Sequence, residues 1–327
     1  MDALIQVPYN ATVRLMLASL ERNLLPDLVV RKLTKLLLAS RLRSEYQHSS
    51  HLQLSRLLHF AHSLEHMPIA VETDKPKSQH YELPTSFFKL VLGKNLKYSC
   101  CYFVDKANTL EDAEKLMLDL YCERAQIKDG QTVLDVGCGW GSLSLYIAQK
   151  YNNCSVTGIC NSMTQKEHIE ERCRDLQLSN VEIIVADISK FEMQASFDRI
   201  LSIEMFEHMK NYKELLRKIS KWMKDDSLLF IHYFCHKAFA YHFEDDVSIV
   251  NHWLVNGMHY ARTSEEWLKR MDKNSASITP IMESTYGKES ATKWTAYWRT
   301  FFISVAELFG YNDGEEWIVA HFLFKKK

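Results

Sequence analysis

The sequence predicts an α/β fold built on a parallel sheet, and three observations support this prediction. Short apolar or β-branched runs alternate with stretches of helical spacing from Asp129-Gly130 onward, as they do in βαβ units. A glycine-rich loop joins the first of these runs to a helical stretch. The chain has 327 residues, 46% hydrophobic and 25% charged, which is enough for one large domain or two modest ones.

The segment before the sheet is predicted to be a small helical layer. From Ala11 to about Met67, apolar residues recur at helical spacing, with Arg and Lys between them. A polar stretch at 74–78 is typical of a linker, and Pro84 suits the first turn of a further helix. Another helix is predicted over 109–124.

Six runs are expected to form strands, and the helical stretches between most of them suit crossover connections in a parallel sheet. The runs lie at 132–136, 155–159, 181–185, 199–203, 227–234 and 316–324.

The loop after the first run has the pattern G-x-G-x-G, at Gly137, Gly139 and Gly141. Glycines let the backbone approach a ligand closely, and the N–H groups at the start of the next helix can bind a carboxylate or a phosphate. No G-x-x-x-x-G-K-[ST] phosphate loop is present. The alternative is a tight turn that binds no ligand.

Polar residues near this loop favour an amino-acid-bearing nucleoside over a dinucleotide. Asp135 precedes the loop, where a carboxylate could meet an amino group, and Asp187 follows the third run, where it could hold an adenine amino group. The second run lacks the Asp or Glu that often holds ribose hydroxyls, so we expect Asn161 or Gln165 to pair with the diol.

An acidic cluster follows the fourth run, at Glu204, Glu207 and His208. Ligands bind at the carboxyl ends of parallel strands, and in a helix these three residues would share a face. Two carboxylates attract an alkylammonium ion, and an imidazole has a suitable pKa to take its proton. The alternative is a solvated helix start, which favours acidic residues.

The composition limits the binding partners and the cellular compartment that we expect for this protein. With 40 Lys and Arg against 41 Asp and Glu, neither nucleic acid nor a membrane surface is an expected partner. The eight cysteines include no C-x-x-C, so we expect no metal site and no disulfide framework. Asp2 replaces the basic start of a signal peptide, and no apolar run is long enough to span a bilayer. A cytoplasmic protein is predicted, and a homodimer is compatible with the sequence.

Five longer strings are far more specific than the glycine loop; they lie at 117–126, 207–212, 245–253, 297–299 and 314–317. In these strings, and from about Tyr81 to the end, the sequence resembles plant alkaloid N-methyltransferases of the coclaurine, pavine and phenylalkylamine group, which are related to cyclopropane fatty-acid synthases. The resemblance implies a class I methyltransferase fold with a Rossmann-like seven-stranded sheet, an N-terminal helical cap and a C-terminal helical insertion.

The resemblance also implies an activity in alkaloid biosynthesis, part of plant specialised metabolism. A methyl group would pass from S-adenosylmethionine to a small aromatic amine, a phenylalkylamine or a benzylisoquinoline alkaloid, leaving S-adenosylhomocysteine. Glu207 and His208 are the implied catalytic pair. The implied amine pocket adds Tyr81, Glu82, Glu204, Trp298, Phe301 and Phe302, the last three of which could equally be core.

The resemblance implies a set of cofactor-binding residues, each assigned to one part of the cofactor. They are Tyr98, Ser99, Gly137 and Gly139 at the methionine part, Asn161 and Gln165 at ribose, and Asp187 and Ile188 at adenine, beside Asp135.

The sequence departs from its apparent relatives after Glu244, where they carry some tens of additional residues before the counterpart of Asp245. We expect a lid segment to be missing between these two residues. The predicted domains are a helical cap at 1–115, a cofactor-binding core at 116–236, a helical substrate-binding insertion at 237–312 and a final core strand at 313–327.

Two other functions remain open at this stage. Cys100, Glu207 and His232 match positions at which cyclopropane synthases hold a bicarbonate as base, which would suit a lipid substrate. Against that alternative, Glu204 suits a cation better than an alkene. A protein that keeps the fold without catalysis is the second alternative, since a fold does not guarantee chemistry.

Overall fold

A computed structural model describes residues 2–71, 83–238 and 247–327 of the chain. It contains eleven α-helices in these ranges. They are α1 (Asp2–Glu21), α2 (Asp27–Glu45), α3 (Ser50–Glu65), α4 (Thr85–Val91), α5 (Leu110–Arg124), α6 (Ser142–Lys150), α7 (Met163–Asp175), α8 (Tyr212–Lys221), α9 (Met258–Lys273), α10 (Ser275–Tyr286) and α11 (Lys288–Phe309).

Seven strands form one sheet in the order β3-β2-β1-β4-β5-β7-β6. They are β1 (Thr132–Val136), β2 (Ser155–Cys160), β3 (Val181–Val185), β4 (Phe197–Ile203), β5 (Met223–His236), β6 (Val247–Val255) and β7 (Trp317–Lys326). The first five strands are parallel, whereas β7 runs antiparallel to both β5 and β6. The predicted α/β fold with a seven-stranded sheet is confirmed, and the six predicted runs match strands to within a few residues.

The seventh strand, β6, lies in the region that the sequence predicted to be a helical insertion, and that part of the prediction is wrong. Most of its residues between Val247 and Val255 are exposed, so the alternation of buried and exposed side chains is weak. Backbone pairing with β7 defines this edge strand instead. The remainder of the insertion is helical, in α9, α10 and α11.

Local capping explains where the predicted helices begin. Pro84 precedes the first residue of α4, and Thr109 caps α5 by accepting from the N–H of Asp112 at 3.2 Å. The Asp112 carboxylate accepts in return from the N–H of Thr109, which completes a capping box. The predicted domain boundary between residues 115 and 116 falls inside this helix.

The N-terminal helices pack on the C-terminal helices through ion pairs as well as apolar contacts. Within the described part of α2, only Val30 is fully buried. Arg31 pairs with Glu265 of α9 and, at 2.9 Å, with Glu307 of α11. Arg299 of α11 pairs with Asp27 at 3.0 Å.

The sheet is covered on both faces, since successive residues of the inner strand β5 belong to different apolar clusters. Leu228 and Phe230 pack in one cluster, and Leu229 and Ile231 pack in another. Among the described helices, none has the length and apolar content needed to cross a bilayer.

Candidate active site

A cleft lies at the carboxyl ends of β1 and β4. This is the edge of an open parallel sheet at which ligands bind. The cleft is lined by Leu96, Lys97, Tyr98, Ser99, Tyr121, Asp135, Gly137, Cys138, Gly139, Trp140, Ser142, Leu143, Gln165, Ile203 and Glu204.

The glycine loop forms one wall of this cleft in a conformation that requires glycine. Gly139 has φ +54°, and a Cβ added there would meet no atom within 4 Å, so the backbone is open to a ligand. Gly141 has φ +79°, and a Cβ there would lie 2.6 Å from the side chain of Ile169. The first glycine therefore allows access, and the second allows close packing of α6 on α7.

Asp135 lies at the base of the loop and is almost fully buried. Its Oδ2 accepts a hydrogen bond of 2.7 Å from the hydroxyl of Ser144. Burial raises the pKa of this carboxyl to about 6, since the charged form is poorly solvated there. A cationic ligand group in the cleft would favour the ionised form.

Six of the predicted cofactor residues line the cleft: Tyr98, Ser99, Asp135, Gly137, Gly139 and Gln165. The other three lie outside its lining. Asn161 is exposed just after β2, Asp187 accepts from the hydroxyl of Ser189 at 2.7 Å, and the buried Ile188 accepts through its carbonyl from Lys218.

The fit of S-adenosylmethionine to the cleft can be tested on its polar atoms. Within the described residues, Nε2 of Gln165 and Nε1 of Trp140 are buried without a hydrogen-bond partner. Such groups carry a desolvation penalty unless a ligand pairs with them. The cleft also holds the carboxyl groups of Asp135 and Glu204, which suit the cationic amino and sulfonium groups. The residues present therefore fit this cofactor.

Glu204 lies one residue beyond β4, with φ +49°. Its Oε1 accepts from the backbone N–H of Cys100 at 2.9 Å and lies 3.1 Å from Nε2 of His232. Its Oε2 accepts from the hydroxyl of Tyr260 at 2.6 Å. Three groups from separate elements thus hold one carboxylate at the inner end of the cleft.

Glu207 and His208 belong to a short 3₁₀ helix, Phe206–His208. The sequence prediction that they share an α-helical face with Glu204 is wrong, because the left-handed Glu204 ends the strand outside any helix. Oε1 of Glu207 accepts from the N–H of Phe234 at 3.2 Å, and Oε2 is buried without a partner in the described part of the chain. His208 is exposed.

The two carboxyl groups differ in how well their charged forms are stabilised. Burial raises the pKa of both Glu204 and Glu207. At Glu204 the positive charge of Lys97 and the hydrogen bond from Tyr260 oppose this increase. At Glu207 the negative charge of Glu204 adds to it, so the pKa of Glu207 lies well above its usual range. Glu204 is therefore the anion of the pair, and Glu207 is the group that favours holding a proton.

Three residues of this site were not identified from the sequence: Lys97, Tyr121 and Tyr260. The buried Nζ of Lys97 donates to Ser99 Oγ at 2.6 Å and to the Tyr121 hydroxyl at 3.1 Å. Tyr260 lies 56 residues from the carboxylate that it contacts, and no local pattern marks it. Only the position of Lys97, beside Tyr98 and Ser99, could have drawn attention to it.

The predicted amine pocket is described only in part. Tyr81 and Glu82 lie outside the described residues. The ring of Trp298 lies 5.0 Å from that of Phe87, and Phe302 is almost fully buried. These two residues and the half-buried Phe301 pack in the main apolar cluster, and none of the three belongs to the lining of the cleft.

The residues that suggested a lipid substrate have other contacts here. The N–H of Cys100 and the imidazole of His232 both contact the carboxylate of Glu204. Those groups are thus already engaged with a carboxylate of the chain itself.

The chain is similar to several known proteins. The profile of a family described as mycolic acid cyclopropane synthetase matches residues 71–247. An (S)-coclaurine N-methyltransferase of Thalictrum flavum subsp. glaucum is 47% identical over 352 residues, covering 98% of this chain and 98% of that protein. A pavine N-methyltransferase of the same plant is 43% identical over 339 residues, covering 94% of this chain and 95% of that protein.

A solved structure is similar over nearly the whole chain. A crystal structure of coclaurine N-methyltransferase bound to N-methylheliamine and S-adenosylhomocysteine has a TM-score of 0.94 and 48% identity, covering 96% of this chain and 100% of that one. The 352 residues aligned with the Thalictrum relative exceed the 327 of this chain, so that relative carries residues that are absent here. The predicted gap between Glu244 and Asp245 lies outside the described residues.

Proposed function

The chain belongs to the S-adenosylmethionine-dependent alkaloid N-methyltransferase family, and we propose that it methylates the nitrogen of a small aromatic amine, a phenylalkylamine or a benzylisoquinoline alkaloid. The observation that carries this proposal is the difference between two neighbouring carboxyl groups: Glu204 lines the cofactor cleft and is held by three hydrogen-bonding groups, whereas Oε2 of Glu207 is buried without a partner among the described residues. One can hold an ammonium ion while the other accepts a proton.

We propose that the cofactor occupies the cleft beside the glycine loop. Nine residues would hold it: Tyr98, Ser99, Asp135, Gly137, Gly139, Asn161, Gln165, Asp187 and Ile188. When bound, S-adenosylmethionine supplies an electrophilic methyl group. The residues of the cleft orient the reactants and exclude water, which accounts for much of the rate enhancement expected in methyl transfer.

Glu204 would bind the amine as a cation. An alkylamine has a pKa of about 10, like that of a Lys side chain, so it reaches the site protonated at neutral pH. The Glu204 carboxylate is only 9% exposed, and a charge in such a site interacts more strongly than one in water. This interaction stabilises the ammonium form, so a second group has to take the proton.

Glu207 and His208 would take the proton that the nitrogen must lose. The positive charge of a bound ammonium ion would favour the ionised form of Glu207, and a carboxylate whose pKa is raised by burial is a stronger base than an exposed one. The amine N–H proton would pass to this pair, and the freed lone pair would form the new N–C bond while the methyl–sulfur bond breaks and its electrons leave with the sulfur of S-adenosylhomocysteine. Because His208 is exposed, a proton that reaches its ring can leave to solvent.

The remaining pocket residues would form the wall around the aromatic part of the substrate. We assign this role to Tyr81, Glu82, Trp298, Phe301 and Phe302, on positional similarity to the family. The predicted domains would then have separate roles: 116–236 and 313–327 hold the cofactor, 1–115 covers it, and 237–312 contacts the amine.

The cytoplasm is the proposed compartment, which suits eight cysteines that are all free thiols.

Product analysis tests the proposal directly. The purified protein is incubated with S-adenosylmethionine and a panel of phenylalkylamines, benzylisoquinolines and an unsaturated phospholipid, with cofactor omitted as the control. Mass spectrometry should find one added methyl group on an amine alone. A product only on the phospholipid would contradict the proposal, and so would cofactor binding without any product across the panel.

A further inference from the structure

A row of side chains crosses three adjacent strands below the acidic site. His232 on β5 pairs in register with His321 on β7, and His321 pairs with Trp253 on β6. Residues that pair in this way project from the same face of a sheet. Arg124 of α5 lies over the end of the row, with its guanidinium 4.9 Å from the Trp253 ring centre.

The polar members of this row form a continuous series of hydrogen bonds that ends at Glu204. Nη1 of Arg124 lies 2.6 Å from Nδ1 of His321, and Nε2 of His321 lies 2.9 Å from Nδ1 of His232. Nε2 of His232 lies 3.1 Å from Oε1 of Glu204. Both imidazoles are fully buried, and burial holds their pKa values well below the usual range, so both rings are neutral.

The donor direction along this series is fixed at one end. An arginine side chain can only donate, so Nδ1 of His321 must accept from Arg124. A neutral imidazole carries one proton, which therefore sits on Nε2 of His321 and is donated to Nδ1 of His232. The single proton of His232 is then on Nε2, where it is donated to Glu204.

A second series of hydrogen bonds converges on the same atom of His232. Nζ of Lys97 donates to the hydroxyl of Tyr121 at 3.1 Å, and that hydroxyl lies 2.9 Å from Nδ1 of His232. Because the Tyr121 oxygen accepts from Lys97, its own proton is available for His232. Two cations thus act through separate neutral groups to make Nδ1 of His232 an acceptor.

We propose that Arg124, His321 and Tyr121 are positioning residues that lock His232 in its Nε2–H tautomer, and so hold Glu204 as an oriented anion for the amine. The tautomer of His232 follows from the contacts alone. Only the identity of the bound cation as an amine rests on the proposed function. The groups that face Glu204 from the surrounding elements are Lys97, Cys100, Glu207, His208, His232 and Tyr260.

The same donor direction makes a proton exit through this row unfavourable. Every N–H in the series points toward Glu204, and Arg124 retains its protons at any pH at which proteins fold. A proton lost by the substrate would have to move against these donors. The row therefore orients the Glu204 carboxylate and stabilises its negative charge.

Nuclear magnetic resonance of ¹⁵N-histidine-labelled protein tests the tautomer without any substrate. Both His232 and His321 should be neutral Nε2–H tautomers throughout the pH range in which the protein stays folded. Assignment uses His232→Gln and His321→Gln. A protonated ring, or an Nδ1–H tautomer at His232, would overturn the proposal.

A double-mutant cycle tests the consequence for catalysis. His321→Leu and Tyr121→Phe each leave one donor to Nδ1 of His232, so each should raise the KM for the amine by about threefold. The double variant leaves no donor and should raise it by about a hundredfold, more than the two single effects combined. Turnover at saturating amine should change little in His321→Leu, since His321 does not line the cleft.

His321→Gln and an unrelated histidine provide the controls. The Gln amide can accept from Arg124 and donate to His232, so this variant should keep a KM close to that of the wild type. His252→Leu, at an exposed site on β6, should leave KM unchanged. Independent, equal effects of both substitutions in the cycle, or a loss confined to thermal stability, would contradict the positioning role.

The two proposals fail in different ways. A wild-type protein with the expected tautomers that methylates no amine would overturn the proposed substrate and leave the hydrogen-bond series intact. Methylation of an amine with an unchanged KM in the double variant would overturn the positioning role alone. If the double variant does not fold, the tautomer measurement on the wild type still decides the matter.

Discussion

The cofactor side and the amine side of the site are built in different ways. On the cofactor side, Asp135, Gly137 and Gly139 lie within one strand and the turn that follows it. On the amine side, the Glu204 carboxylate is held by Cys100 and Tyr260, which are far apart along the chain. The first side is a local motif, and the second is assembled only when the sheet and the helices have packed.

The two sides also stabilise charge differently. Asp135 receives one side-chain hydrogen bond, and its pKa rises to about 6 with burial. Glu204 receives bonds from three groups and the field of Lys97. The cofactor side thus gains from a cation that binds, whereas the amine side presents an anion that is already stabilised.

The largest expected effect is the loss of the proton acceptor on the amine side. Glu207→Gln should lower turnover by about 10²–10⁴-fold, since an amide cannot take the amine proton. His208→Ala should act in the same direction. Steady-state kinetics and calorimetry of cofactor binding should show that affinity for S-adenosylmethionine is nearly unchanged.

Glu182→Gln controls for the loss of one carboxylate, because Glu182 lies at an exposed position on β3. An equal loss of turnover and of cofactor affinity in Glu207→Gln would remove the distinction between the two sides. Glu207 and His208 would then organise the fold or the cofactor cleft.

The next effect concerns the pH dependence of stability on the cofactor side. The folded-state pKa of Asp135 is raised from 3.8 to about 6. The contribution of Asp135 to the free energy of unfolding is therefore fully present below pH 3.8 and is lost as the pH rises through about 6. This amounts to about 3 kcal/mol. Asp135→Asn should lack this loss, because an amide has no charge to bury.

Denaturant unfolding without cofactor, over this pH interval, measures the difference between the two proteins. Asp225→Asn, whose side chain is fully exposed, should follow the wild type. A parallel pH dependence in wild type and Asp135→Asn would show that Asp135 is not a poorly solvated carboxyl.

The smallest expected effect distinguishes the loss of ligand binding in the cleft from the backbone strain of the glycine loop. Gly139→Ala and Gly130→Ala both place a Cβ at positive φ in open space, so each should destabilise the fold by about 1 kcal/mol. Only Gly139 lines the cleft, so Gly139→Ala alone should weaken cofactor binding, by about tenfold. Equal cofactor affinities in the two variants would place the ligand away from the loop.

The cofactor side was largely predictable because its signals are local. The strand β1, the glycine loop and the helix after it follow from residues that are adjacent in sequence. The capped start of α5 at Thr109 is of the same kind. Hydrophobic spacing and glycine pattern are properties of short segments, so one sequence is enough to reveal them.

The amine side was predictable only by its residue types and by resemblance. Nothing local indicates that Glu204 adopts φ +49° or that Tyr260 reaches its carboxylate. The exposed strand β6 was missed for the same reason, since pairing with β7 defines it. Contacts between distant segments depend on the packed sheet, and a single sequence does not encode them as a pattern.

The central claim is that the amine side presents a fixed anion at Glu204. Titration calorimetry of a quaternary ammonium benzylisoquinoline and its uncharged carbon isostere, each against wild type and Glu204→Gln loaded with S-adenosylhomocysteine, tests it most directly. The wild type should prefer the cation by at least about tenfold, since a hydrogen-bonded buried charge contributes roughly 1.5–3 kcal/mol. Glu204→Gln, with cofactor affinity retained, should lose this preference. Equal affinity of the wild type for both compounds would contradict the account.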